Sequence, residues 1–247
     1  MMEVTEFLDE FWHGLLHIKI QLPFVGESHV SHVHNPFLPS SSFPSPISSS
    51  SSLQMCQDFP STTFHILVTH LNPQSSVTRL QETESIVQIS NRILDLERRS
   101  GREYDGGNII LLGDFNTLSP TEDFDFLFPL LSSQTPLARK FLSPINGQID
   151  LSPYLSLTSL FTDIFPIPMR HSVPTQFTPD PMHACPLRLD YAMVTSNVRR
   201  LFDTTLTIVD DDVTNTLSDH FPLLLTMRKR REEEESHLYL EVDKEEL

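Results

Sequence analysis

Cysteine is nearly absent from this sequence of 247 residues, which has only Cys56 and Cys185. Two cysteines far apart in unlike surroundings make neither a disulfide framework nor a metal-ligand spacing, and they fit a reducing compartment. Also missing is any apolar run near the roughly 18 residues that a membrane-spanning helix needs. The opening MMEVTEFLDEFWHG has early acids and lacks the basic-then-apolar pattern of a secretory leader. The expectation is an intracellular chain with no membrane span. Positive charge is scarce, with 17 Lys and Arg against 33 Asp and Glu and a net charge of −16. So acidic a body is a poor non-specific partner for long duplex nucleic acid. Any phosphate substrate therefore requires a local basic patch or a metal ion.

What the chain does hold is serine and proline in excess, with 19 prolines. HNPFLPSSSFPSPISSSSSLQ cannot pack a core and reads as disordered low complexity. Before it, Leu8, Phe11, Trp12, Leu15 and Leu16 outline an amphipathic segment leading into a strand at HIKIQL. After it, Phe64 to Thr69 reads as a buried strand. Residues 75–101 follow as a helix, with serine at its N-cap, Gly101 past its end, and Val77, Leu80, Ile86 or Val87, Ile89, Ile93 and Leu96 on one face. Ile109 to Leu112 is a second buried strand. Strand, helix, strand in that order is a βαβ crossover, which implies a parallel or mixed sheet. Short helices are expected near 122–131 and 136–142, and strands at 187–196, 205–210 and 221–227. The expected division is 1–34 as a remnant of an N-terminal part, 35–60 as a disordered insertion, 61–228 as the domain, and 229–247 as a charged disordered tail. RKRR at 228–231 is read as balancing the four glutamates behind it.

Four short polar elements sit at the ends or edges of these strands: THLNP (69–73), GDFN (113–116), RLDY (188–191) and SDH (218–220). In extended chain Asp114 and Asn116 share a parity and point the same way, past a strand end where open α/β sheets place ligands. Each element alone is explicable as turn chemistry. Four in one chain are harder to explain that way.

In order and spacing the four elements resemble the endonuclease/exonuclease/phosphatase superfamily of metal-dependent phosphoesterases, over about Thr63 to Met227. The resemblance implies an α/β fold of four layers, two mixed sheets packed face to face with helices outside, here incomplete at the N-terminus. It implies attack of an activated water on phosphorus with Mg²⁺ or Mn²⁺ as cofactor. Carried over to this chain, Asp114 orients or deprotonates the water, and Asn116 hydrogen-bonds the phosphate. His220 contacts phosphate or acts as acid and base, Asp190 fixes its tautomer, and His70 assists the leaving group. Asp219 lies at the metal together with Asp114 and Asn116. Nucleic acid, a nucleotide or a lipid head group all suit this machinery as the phosphate-ester partner.

The match has gaps. The family's upstream asparagine and its principal metal-binding glutamate have no counterpart among the residues before Thr63. Gln81-Glu82 falls inside a helix, and Glu27 in FVGESH lacks the preceding glutamine. The alternative reading is therefore a catalytically inactive, truncated relative acting as a scaffold or binding module. Arg170 and His171, in the Pro-rich stretch before Asp190, are candidate phosphate contacts or ordinary exposed residues. His183 and Cys185 make too sparse a set for zinc.

Overall fold

The computed structural model describes residues 1–7, 11, 13–22, 62–100, 107–166, 171–172, 187–211, 213 and 218–230. Glu27, Gly101, Arg170, His183, Cys185, the 35–60 segment and the stretch from residue 231 onward lie outside the described residues.

The chain runs β1 (Met2–Phe7), β2 (Leu15–Leu22), β3 (Thr62–His70), α1 (Ser76–Arg99), β4 (Asn108–Asp114), α2 (Phe124–Ser133), α3 (Thr135–Phe141) and α4 (Ser152–Thr158). It continues through β5 (Phe161–Asp163), β6 (Asp190–Thr195), α5 (Ser196–Leu201), β7 (Phe202–Ile208) and β8 (Leu223–Lys229). Six strands form one mixed sheet in the order β1-β2-β3-β4-β6-β5, and β7 pairs with β8 in a second. β3 and β4 are parallel, joined by α1 as the crossover, as their sequence order implies. β6 then enters antiparallel beside β4.

Alternation along the central strands builds two cores. Leu67, Ile109, Leu111 and Met193 face Ile86, Ile89 and Ile93 of α1 and Leu157 of α4. Phe64, Ile110, Ala192 and Val194 face the other way, where Leu206 of β7 and Leu223, Leu225 and Met227 of β8 cover them. Helices, a mixed sheet and a second sheet packed against it make the α/β sandwich that the motifs imply. A smaller cluster around Leu118, Leu127, Leu131, Leu137 and Phe141 seats α2 and α3 beside Leu187 and Leu189, ahead of β6. Among the described residues no helix is long and apolar enough to cross a membrane.

Three expectations need correction. Leu15 and Leu16 belong to strand β2 itself rather than to the amphipathic segment expected before it, because β2 is paired from Leu15 onward with β1 and with β3. The buried stripe of α1 also differs from the apolar pattern. Val77 and Leu96 are exposed, while Arg79, Glu82, Thr83, Ser90 and Glu97 are buried beside Ile86, Ile89 and Ile93. Finally, the basic block belongs partly to the fold. Arg228 and Lys229 end β8, and Arg228 and Arg230 pair with Asp203 of β7.

Candidate active site

Adjacent strands bring the candidate groups together by register. His70 at the end of β3 is opposite Asp114 of β4, and Asp114 is opposite Asp190 at the start of β6. Three side chains from distant parts of the sequence thus stand side by side at the ends of three neighbouring interior strands. Gly113 permits the approach: its φ is +142°, and a Cβ there would lie 1.8 Å from the Thr69 carbonyl oxygen.

The loop after β4 leaves the extended conformation at once. Asn116 has a φ of +49°, so the parity expected of a strand does not apply. Its backbone N–H donates to Asp114 Oδ1 at 2.8 Å in a tight Asx-type turn. Its Nδ2 donates to the Leu71 carbonyl at 3.0 Å and to Asp114 Oδ2 at 3.1 Å. Buried Asn116 therefore holds Asp114 and ties it to the loop after β3. Between them Phe115 turns into the core and stacks on Tyr191, with 5.3 Å between ring centroids.

His220 closes the group from a loop far along the chain. Its Nδ1 lies 2.6 Å from Asp190 Oδ2, and its Nε2 lies 4.0 Å from Asp114 Oδ2. His70 Nε2 approaches the same Asp114 oxygen at 3.3 Å. A cavity of about 750 Å³ is lined by His70, Asp114, Asn116, Asp190, Asp219 and His220, together with Gln74, Arg139 and Lys140. All six residues singled out in the sequence meet there.

The environment separates their protonation. Burial, then the neighbouring Asp190 charge, pushes the Asp114 carboxyl up to about 6. For His220, burial acts downward, but the hydrogen bond and charge of Asp190, with the charges of Asp114 and Asp219, outweigh it and leave the pKa raised. Burial and the nearby His13 and His220 lower that of His70. The site thus offers a carboxyl raised toward neutrality, one imidazole whose protonated form is favoured and one whose neutral form is favoured.

Several contributors carry no mark in the sequence. His13, just before β2, stacks on His70 with 4.3 Å between ring centroids. Buried Ser172 joins three pieces: its hydroxyl oxygen accepts from the N–H groups of Leu189 and Asp190, and its carbonyl accepts from Phe221 N–H at 2.9 Å, next to His220. The arginine of RLDY turns inward. Arg188 makes a two-pronged pair with Asp163 of β5 and lies over Tyr191, so it anchors the strand that starts at Asp190. His171 lies 3.9 Å from Glu122 and is not part of the cavity lining.

The available metal donors are the hard oxygens of Asp114, Asn116 and Asp219, the kind that Mg²⁺ takes. Among the described residues no group of three or more His, Cys, Asp or Glu is arranged so that it could hold a metal ion by itself. Mg²⁺ commonly binds one or two carboxylates and completes its shell with water and substrate phosphate, so the donors fit in kind.

A model of the Endonuclease/Exonuclease/phosphatase family matches residues 8–220. No curated protein matches the sequence. Among solved structures, a functionally unknown conserved protein from Enterococcus faecalis is 19% identical, with 68% of this chain and 51% of that one covered and a TM-score of 0.41. A mannosyl-6-phosphatase from Bacteroides thetaiotaomicron is 15% identical, with 69% and 52% covered and a TM-score of 0.37. An AP endonuclease from Leishmania major is 17% identical, with 69% and 51% covered and a TM-score of 0.43. The chain spans about half the length of these structures.

Proposed function

The chain belongs to the endonuclease/exonuclease/phosphatase family, and from that premise we propose that it hydrolyses phosphate esters by attack of an activated water on phosphorus. The observation that carries this reading is the convergence of His70, Asp114, Asp190 and His220 in one cavity, the first three on strands set in register and His220 on a loop. Asp114, with its pKa raised toward neutrality, accepts the proton as the water oxygen bonds to phosphorus. The ester P–O bond breaks, and the departing oxygen takes a proton from His220, which Asp190 holds in orientation and whose protonated form it favours. Asn116 fixes the base through two hydrogen bonds. Neutral His70, beside Asp114, contacts the phosphate or the leaving group. Asp219, with Asp114 and Asn116, would hold Mg²⁺ or Mn²⁺, which supplies charge neutralisation at phosphate and a more acidic water.

The test is turnover of bis(p-nitrophenyl) phosphate by the full chain with Mg²⁺ or Mn²⁺, beside Asp114→Ala. We expect activity in the unmodified protein and a drop of at least about a hundredfold in the variant, the range of a lost general base. A second reading, the non-catalytic scaffold, draws on the absence of a ready three-ligand set among the described residues. Equal and negligible rates in both proteins would favour it and defeat hydrolysis.

A further inference from the structure

The cavity has a second chemical character that the reaction leaves unused. Asp114, Asp190 and Asp219 line it together with Arg139 and Lys140, consecutive residues of α3. In a chain with 17 Lys and Arg against 33 acids, two adjacent cations at the catalytic cavity stand out against the overall charge. The local basic patch that a phosphate substrate demands here is on α3, ahead of β6 by some 50 residues.

Its position is fixed from behind. The buried guanidinium of Arg79 in α1 donates to the Lys140 carbonyl and, at 2.8 Å, to the Asn72 carbonyl. Asn72 follows His70 and Leu71, and its backbone N–H donates to Glu82 at 2.8 Å. The end of α3 is thereby tied to the loop leading from the catalytic histidine. Lys140 is buried and close enough to His70 and Asp114 for its charge to act on both. Arg139 lies farther out and is exposed. It lines the catalytic cavity and also an adjoining hollow of about 390 Å³, shared through Gln74 and Arg139 and edged by Ser75, Ser76 and Ser143. A ligand whose cleaved phosphate sits at Asp114 and His220 thus has space beyond it, with a guanidinium at the junction.

We propose that Arg139 and Lys140 form a second-phosphate subsite, so that the preferred ligand carries another phosphate beside the one attacked. The inference rests on the phosphoesterase reading for the site's chemistry. Guanidinium suits the role, since it presents paired donors to phosphate oxygens and stays charged. Buried Lys140 supplies a compact charge in the cavity wall, near His70 and Asp114. A nucleoside bisphosphate and an inositol bisphosphate share this chemistry.

Calorimetry on the full chain in EDTA, which withholds the metal assigned to turnover, tests it on binding alone. The probes are thymidine 3′,5′-bisphosphate against thymidine 5′-monophosphate, and inositol 1,4-bisphosphate against inositol 1-phosphate. A preference of about tenfold for the bisphosphate is expected in at least one pair, the scale of one charge-assisted contact, and that pair identifies the carrier. Arg139→Gln, at an exposed position that burdens no core, should bring the ratio to within about twofold. A ratio near one in both pairs, a ratio that Arg139→Gln leaves unmoved, or no binding of any probe would each overturn the subsite. Hydrolysis is judged separately by the Asp114→Ala assay, so either idea can fail alone.

Discussion

At the scale of single residues, the site works by unequal neighbours. Asp114 and Asp190 are opposite each other in the register, yet only Asp190 has an imidazole at 2.6 Å to share its charge. Asp114 instead accepts from the backbone and amide of Asn116. Burial and then the Asp190 charge push its pKa up to about 6, outweighing the backbone bond that holds it down. Under the proposed hydrolysis, two carboxylates in one site would take different tasks, one as base and one as the orienter of an acid. His220→Gln keeps a polar side chain but removes the transferable proton. We expect kcat on an aryl phosphodiester to fall about a hundredfold, with a smaller change in KM, when steady-state kinetics of the two proteins are compared.

Elements are held by buried polar contacts at their ends. Arg188 and Asp163 are both almost fully buried and link the start of β6 to β5, with the Tyr154 hydroxyl also donating to Asp163 at 3.1 Å. Asp163→Ala would leave Arg188 charged and unpaired inside. The expected loss is about 3–5 kcal/mol, read from chemical denaturation. A second cluster joins β2, β3 and the C-terminal end of α1. There His65 Nε2 lies 3.1 Å from Glu97 and its Nδ1 lies 3.0 Å from His17 Nε2, while Lys19 donates to the same Glu97 at 2.9 Å. Burial, opposed by Glu97 and reinforced by His17 and Lys19, lowers His65 to about 4. The folded chain thus keeps His65 neutral, whereas the unfolded chain protonates it near its ordinary 6.5. This contribution is fully present above pH 6.5 and is lost as pH falls from there to about 4. It amounts to about 3 kcal/mol. Thermal melts of wild type across that window should show a steeper decline than those of His65→Gln.

For the molecule as a whole, charge decides which partners approach. A net charge of −16 opposes the condensed phosphates of a duplex, and among the described residues Arg139 and Lys140 are the cations that line the cavity beyond its histidines. In fluorescence anisotropy at about 0.15 M salt, a random duplex should show no binding in the micromolar range where non-specific DNA binders act. A small phosphate ester would be screened from most of that charge beyond a Debye length and would meet mainly the local charges of the cavity.

Periodicity and turn chemistry are local, so the sequence itself determined the βαβ crossover, the buried strands 109–112 and 64–69, and the serine N-cap of α1, where Ser75 accepts from the Thr78 N–H. It also determined which polar groups hang on strand ends, and all six of these share one cavity. Tertiary structure decided the rest. The pairing of β6 beside β4 set Asp190 against Asp114, a register no local pattern encodes. The inward turn of Arg188, the stacking of His13 on His70 and the hook made by Ser172 depend on contacts between residues far apart in the chain. The apolar spacing of α1 misplaced its buried face for the same reason: Arg79, Glu82 and Glu97 are drawn inward by partners on Asn72, Lys140 and His65. Side-chain pattern records what each residue prefers locally. Which groups meet is set by strand order and helix docking, because those bring distant residues into contact.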